Sequence, residues 1–148
     1  MVSPFVTPQE PTAAAAIEAI GDELSLFDDW MDRYQFIIDM GRRLPPFPPA
    51  WIDDAHRVPG CQSKVWMEAE LRDGALYLAG TSDAAIVSGL VALLLRVYSG
   101  RTLEEIGATD PAFLQDLGLI QALSTNRGNG IAAMARKIRE VAALQPAG

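Results

Sequence analysis

Thiol and imidazole are scarce: the 148 residues contain one cysteine, Cys61, and one histidine, His56. The lone cysteine excludes an intramolecular disulfide, and a single histidine cannot complete a cysteine-based metal cage. In a reducing compartment such a thiol stays free. Cys61 is therefore either inert packing or a reactive group acting alone. Basic residues are also in the minority, 12 Lys and Arg against 19 Asp and Glu, a net charge of −7. A nucleic-acid groove needs the opposite balance, because cations must replace the counterions of the phosphates. Long apolar runs are missing too. The longest, Ala84–Leu95, is broken by Ser88 and ended by Arg96. It is shorter than the ~20 residues of a bilayer span and reads as a buried core helix. Met1–Pro11 has no basic residue ahead of an apolar stretch, and Ala13–Ala16 is soon interrupted by Glu18, Asp22 and Glu23. No secretion signal is read there, so a cytoplasmic location is expected.

What is present is ordinary globular composition, 49% hydrophobic and 21% charged. That suits a single domain over 1–148 with a core from about 12 to 144 and flexible ends. Met1–Pro11 is expected to fray. Ile17, Ile20 and Leu24 suggest a first helix over Thr12–Leu26. A second is capped by Asp28 or Asp29 and places Trp30, Tyr34, Ile37, Ile38 and Gly41 on one face. Pro45-Pro46-Phe47-Pro48-Pro49 then enforces a loop to Gly60. Val65, Met67, Ala69 and Leu71 alternate with Trp66, Glu68, Glu70 and Arg72, the period of a strand. Asp73-Gly74 predicts a type I′ turn, with Ala75–Thr81 returning. A third strand before Cys61 is conceivable but unmarked. Ser82 is the predicted N-cap of a helix over Asp83–Tyr98, with Asp83 in the first turn facing the helix dipole and Gly100 ending it. Thr102-Leu103-Glu104-Glu105 is a capping box, and Asp110-Pro111 opens another short helix. Leu123–Gly130 reads as a loop, and Ile131–Leu144 as the last helix. Helices and strands segregate along the chain, so the fold class is α+β, a small antiparallel sheet covered by helices. Leu90, Leu93, Leu94, Val97, Met134 and Ile138 are the predicted core stripe.

Cys61 stands between Gly60 and Gln62, after Pro59 and just before the first strand. Proline restrains the entry, and glycine opens backbone angles closed to other residues. A thiol on a loop beside a rigid scaffold is suited to presentation to another protein. A small buried hydrophobe is the alternative on position alone.

The wider string His56-Arg57-Val58-Pro59-Gly60-Cys61-Gln62-Ser63-Lys64-Val65-Trp66 resembles the cysteine loop of the SufE family. Gly60-Cys61-Gln62-Ser63 followed by Val65-Trp66 is its most specific segment. Ser82-Asp83-Ala84-Ala85-Ile86-Val87 with Gly89-Leu90 looks like the family's helix after the hairpin. Leu123-Ser124 through Arg127 to Gly130, then Met134 and Ile138, looks like its last loop and helix. Tyr34, Gly41, Arg43 and Leu44 echo an earlier helix and its exit. The resemblance runs in family order from about Trp30 to Ile138.

It implies a SufE/NifU (IscU-like) fold and a sulfur acceptor that takes a persulfide sulfur on Cys61, stimulates the donor enzyme and delivers the sulfur to iron–sulfur cluster assembly. The implied partners are a SufS-like cysteine desulfurase, whose pyridoxal phosphate belongs to the desulfurase, and a downstream SufB-like scaffold. No cofactor, metal, nucleic acid or membrane is expected for this chain, which is read as a monomer or a homodimer and not as an enzyme in its own right. A second thiol nearby would attack the persulfide and release its sulfur, so one cysteine suits a carrier.

Supporting roles follow the same resemblance. Arg127 matches a family arginine that favours the thiolate electrostatically, although Thr125, Asn126 and Gly128 stand where the family more often has Pro and Ser. Asp83 matches an aspartate tied to how the cysteine loop is held. Gln62 and Ser63 offer hydrogen bonds beside the thiol, Gly60 the loop's freedom. Lys64 and His56 read as solvated, Trp66 as packing and Trp51 as a contact residue. Two alternatives remain at this level. An IscU-type iron–sulfur scaffold generally wants several thiolates. A cysteine hydrolase would use Cys61 with His56 as its base.

Overall fold

The computed structural model describes residues 3–60, 63–119 and 125–145, with the backbone alone for 125–129. Cys61 and Gln62 lie outside the described residues, as do Leu123 and Ser124. Helix α1, Ala13–Leu24, is capped by Thr12, whose hydroxyl accepts from Ala15 N at 3.0 Å. Helix α2, Trp30–Arg42, is capped by Asp29, whose carboxylate accepts from Asp32 N at 2.9 Å. The proline loop contains two single-turn 3₁₀ helices, Pro49–Trp51 and Asp54–His56.

Strand β1, Val65–Arg72, pairs antiparallel with β2, Ala75–Ser82, from Val65↔Ser82 to Arg72↔Ala75. Asp73 and Gly74 join them at φ 51° and 81°, the positive angles a type I′ turn demands. Helix α3, Ala85–Tyr98, follows, and Gly100 at φ 78° breaks away from it. The two-residue β3, Arg101–Thr102, adds to β2 through Ala75↔Thr102 and Leu76↔Arg101, completing the order β1-β2-β3. Helix α4, Leu103–Ala108, the single turn α5, Phe113–Asp116, and the long α6, Thr125–Ala143, close the chain. This is an α+β architecture with a small three-stranded antiparallel sheet.

Helix α3 is the axis of the core. Its residues from Gly89 to Tyr98 are all buried, a run with Arg96 as its one charged member. Such a helix needs cover all round, and α2, the sheet, α1 and α6 supply it. The cluster draws Ile20 and Leu24 from α1, Ile37 and Met40 from α2, and Leu76 and Leu78 from β2. Ile131, Met134 and Ile138 come from α6. The predicted stripe Leu90, Leu93, Leu94, Val97, Met134 and Ile138 is buried throughout.

The segment before α1 is hydrogen-bonded to the sheet at Val6. Val6 N donates to Leu78 O at 2.9 Å, and Ser99 Oγ donates to Val6 O at 2.6 Å. Ser99 Oγ also accepts from Leu78 N at 2.9 Å, so the edge of β2 that β3 leaves uncovered is satisfied by the N-terminal segment and one serine. Three local expectations differ from what is observed. Helix α3 begins two residues later than Ser82 predicts: its N-cap is Ala84, with no side-chain cap, because Ser82 ends β2. The Thr102 box is half formed. Thr102 Oγ1 accepts from Glu105 N at 3.1 Å, but the Glu105 carboxylate accepts from Ala13 N at 2.7 Å and so ties α4 to the start of α1. Finally, α6 begins at Thr125, where the sequence predicts a loop continuing to Gly130.

Candidate functional site

The chain on either side of Cys61 is fastened as two arms of one loop. The incoming arm leaves the turn Asp54–His56, which Asp53 caps by accepting from His56 N at 2.9 Å. Arg57 makes an antiparallel bridge to Trp66, and Val58 N donates to Val65 O at 2.8 Å. These contacts extend the β1 edge by a short ladder that no pattern in the sequence marked. Val58 is buried, whereas Pro59 and Gly60 are exposed. Gly60 has φ 86°, a left-handed conformation that disfavours any Cβ. A Cβ there would also stand 3.3 Å from the Ala133 side chain, so the loop runs against α6.

The outgoing arm is held by the start of the α3 connection. Asp83 Oδ1 accepts from Lys64 N at 3.0 Å, and Asp83 N donates back to Lys64 O at 3.2 Å. Ser82 Oγ donates to the same carbonyl at 2.7 Å. Asp83 therefore does not sit in the first turn of α3 as a dipole partner. It lies ahead of the helix and clamps the backbone of Lys64, whose side chain is exposed. Ser63 is half-buried. Arg127 falls in the first turns of α6, with its side chain outside the described residues.

His56 is not a solvated histidine. Its Nδ1 lies 2.6 Å from Asp53 Oδ1 and its Nε2 lies 2.8 Å from Glu68 Oε2. Its ring stacks on Trp51, centroids 5.7 Å apart and planes 18° from parallel. The hydrogen bonds to Asp53 and then Glu68 raise its pKa above 6.5 against a small opposing effect of burial. The same contact holds the Asp53 carboxyl below its ordinary 3.8. Both ring nitrogens are thus engaged by carboxylates, an arrangement unlike the free imidazole base of a cysteine hydrolase. Glu68 sits twelve positions after His56, across the loop and into β1. No sequence period connects them, so the contact was invisible before folding.

Beside this cluster lies a cavity of about 310 Å³, floored by Val58, Met67, Ala69 and Leu78 and walled by Ile138 and Val141. His56, Arg57, Glu68 and Lys137 form its polar rim. Among the described residues no group of three or more His, Cys, Asp and Glu side chains is placed to hold a metal ion, and no helix is long and apolar enough to cross a membrane.

Comparison with known proteins gives the family. The chain is 36% identical over 138 residues to an uncharacterized SufE-like protein of Rhizobium etli, covering 90% of this chain and 93% of the other. It is also 36% identical over 132 residues to one from Rhizobium meliloti, covering 86% and 94%. A solution structure of a hypothetical protein from Thermus thermophilus shares the fold, with a TM-score of 0.70 at 21% identity over 93% of this chain and 96% of that one. Since residues 18–142 match the SufE description, "Fe-S metabolism associated domain", the chain whose lone cysteine follows this braced loop belongs to the SufE family.

Proposed function

We propose that this protein is a persulfide carrier: Cys61 accepts sulfur from a SufS-like cysteine desulfurase, stimulates it, and hands the sulfur to a SufB-like iron–sulfur scaffold. The observation that carries the reading is the bracing of both arms around Cys61, by Val58 N to Val65 O at 2.8 Å on one side and Lys64 N to Asp83 Oδ1 at 3.0 Å on the other. A carrier has to enter another protein's site with its thiol leading. That requires a short segment with fixed ends, and residues 59–64 have them.

The chemistry asks little more of the chain. The Cys61 thiolate attacks the outer sulfur of the donor's cysteine persulfide, the donor's S–S bond breaks, and the donor cysteine leaves as a thiolate. One S–S bond forms as another breaks, so no oxidant or reductant enters. The pyridoxal phosphate that mobilises sulfur from free cysteine belongs to the desulfurase. The His56 ring, held by carboxylates at both nitrogens, supports this reading over a hydrolase, and the single cysteine of the chain supports it over a scaffold, which generally needs several thiolates.

The test is mass spectrometry after incubation with an active cysteine desulfurase and free cysteine. Cys61 is expected to gain one sulfur atom, and Cys61→Ser to lose both the gain and the stimulation of desulfurase turnover. Wild-type protein that takes up no sulfur from a desulfurase shown to be active overturns the proposal.

A further inference from the structure

We infer that His56 is a positioning residue for the sulfur-accepting loop: as an imidazolium shared by Asp53 and Glu68 it fixes the incoming arm, and it releases that arm on losing a proton. The inference rests on the persulfide-carrier reading for its purpose but on the geometry of His56 for its substance.

A neutral imidazole has one N–H donor and one lone pair. Here both ring nitrogens face carboxylate oxygens, Nδ1 to Asp53 at 2.6 Å and Nε2 to Glu68 at 2.8 Å. A neutral ring would set its lone pair against one of these anions. Only the doubly protonated ring donates to both. The side chain is 18% exposed, and Trp51 covers one face. Asp53 belongs to the proline loop and Glu68 to β1, so the ring is a bridge between two parts of the chain that backbone pairing does not join at that point. The next two residues, Arg57 and Val58, make the short ladder to Trp66 and Val65. The bridge thus fastens the arm immediately before the ladder, and residue 61 lies five positions beyond.

Other charges face the same space. Arg57, from the arm itself, and Lys137, from α6, line the cavity beside His56 and Glu68. Both are cations, but Asp53 and Glu68, at hydrogen-bond range, dominate the charge felt by the ring. The balance raises the His56 pKa. A pKa raised on folding gives stability that is complete below the unfolded value near 6.5 and is lost as pH rises through the higher folded value. On the acid side the bridge fails when Asp53 protonates, below its ordinary 3.8. The arm is therefore held between these limits and loosens as pH rises through the raised His56 pKa.

Because His56 is the only histidine, its ring protons give one unambiguous NMR titration. The midpoint is expected above 6.5, moving down in Glu68→Gln, which keeps the side chain's shape and removes its charge. Amide exchange at Val58, corrected for the intrinsic rate, is expected to accelerate roughly three- to tenfold through that same titration, the range for one lost hydrogen bond. In His56→Gln it is expected to be fast at every pH. The rate at which a neutral alkylating reagent modifies Cys61 supplies the functional readout. The ratio of His56→Gln to wild type cancels the thiol's own ionisation, and it is expected to change across the His56 titration. A flat ratio together with pH-independent Val58 exchange overturns the inference while leaving sulfur acceptance intact. Conversely, a Val58 profile that follows His56 in a protein that never accepts sulfur sinks the carrier reading alone. If His56→Gln fails to fold, Glu68→Gln carries the same comparison.

Discussion

At the scale of single residues, the outgoing arm of the cysteine loop depends on Asp83 as the incoming arm depends on His56. Asp83 Oδ1 accepts from Lys64 N at 3.0 Å. Asp83→Ala leaves that N–H to exposed solvent and is expected to cost about 0.5–1.5 kcal/mol, the net worth of one such bond. Asp83→Asn keeps an acceptor oxygen and is expected to recover most of it. Exchange at the Lys64 amide and the initial rate of sulfur uptake by Cys61 are the measurements, and both are expected to follow the order wild type, Asn, Ala. A carboxylate acting through the helix dipole would behave otherwise, because Asn would then be as poor as Ala. Family likeness tied Asp83 to how the cysteine loop is held, whereas its place after Ser82 suggested the dipole of α3 as its partner; the bond to Lys64 follows the first reading and not the second. The reason is local: β2 runs on through Ser82, whose hydroxyl donates to the Lys64 carbonyl at 2.7 Å and accepts from Ala84 N at 3.3 Å, ahead of α3 rather than within its first turn. His56 was legible only as a loop histidine, since Asp53 is near in sequence but Glu68 arrives through folding.

At the scale of elements, periodicity revealed what faces the core, and glycine spacing concealed how closely two helices cross. Gly41 on α2 and Gly89 on α3 pack backbone to backbone. A Cβ on Gly89 would stand 2.1 Å from the Ile37 carbonyl oxygen, and one on Gly41 would stand 2.6 Å from Gly89 N. Two effects compete in Gly89→Ala. Helix propensity favours alanine by about 1 kcal/mol. The overlap falls on main chain rather than on a pliable side chain, and overpacking typically costs about 1–3 kcal/mol or more. Overlap wins, so net destabilisation is expected in urea unfolding. Gly107→Ala in α4 is the control: nothing lies within 4 Å of its Cβ, so propensity acts alone and a small gain is expected. Both glycines were visible in the sequence, but no spacing rule distinguishes one that permits a crossing from one that merely interrupts a helix. The early start of α6 was hidden similarly. Asn126, Gly128, Asn129 and Gly130 all favour turns, yet the backbone there is helical, because the weak local preference of a few residues yields to the long element that continues from them.

At the scale of the whole molecule, the N-terminal segment is joined to the core by charge. Arg96 emerges from the buried helix α3 and donates to two carboxylates, Glu10 at 2.7 Å and Glu23 at 2.6 Å. Arg101 donates to the Glu10 carbonyl at 2.7 Å. The bonds from Glu23 and Glu10 raise the Arg96 pKa further, so this cation is permanent. Arg96 reads in the sequence as the residue that ends an apolar run, and Met1–Pro11 as a segment expected to fray. Neither reading contains the ion cluster, because its members are separated by up to 86 positions. Arg96→Met keeps the length and apolar stem but strands both carboxylates. Breaking a fully buried pair costs about 3–5 kcal/mol. The Glu23 side chain is 36% exposed here and can turn to water, so a loss of about 1–3 kcal/mol is expected, measured by chemical denaturation at pH 7. Glu10→Gln in the Arg96→Met background should then cost less than it does in wild type, because its cation is already gone. Equal costs in the two backgrounds would mean that Glu10 holds the N-terminal segment through its backbone carbonyl and Arg101 alone, and that the segment's attachment to β2 through Val6 does not depend on the charge of α3.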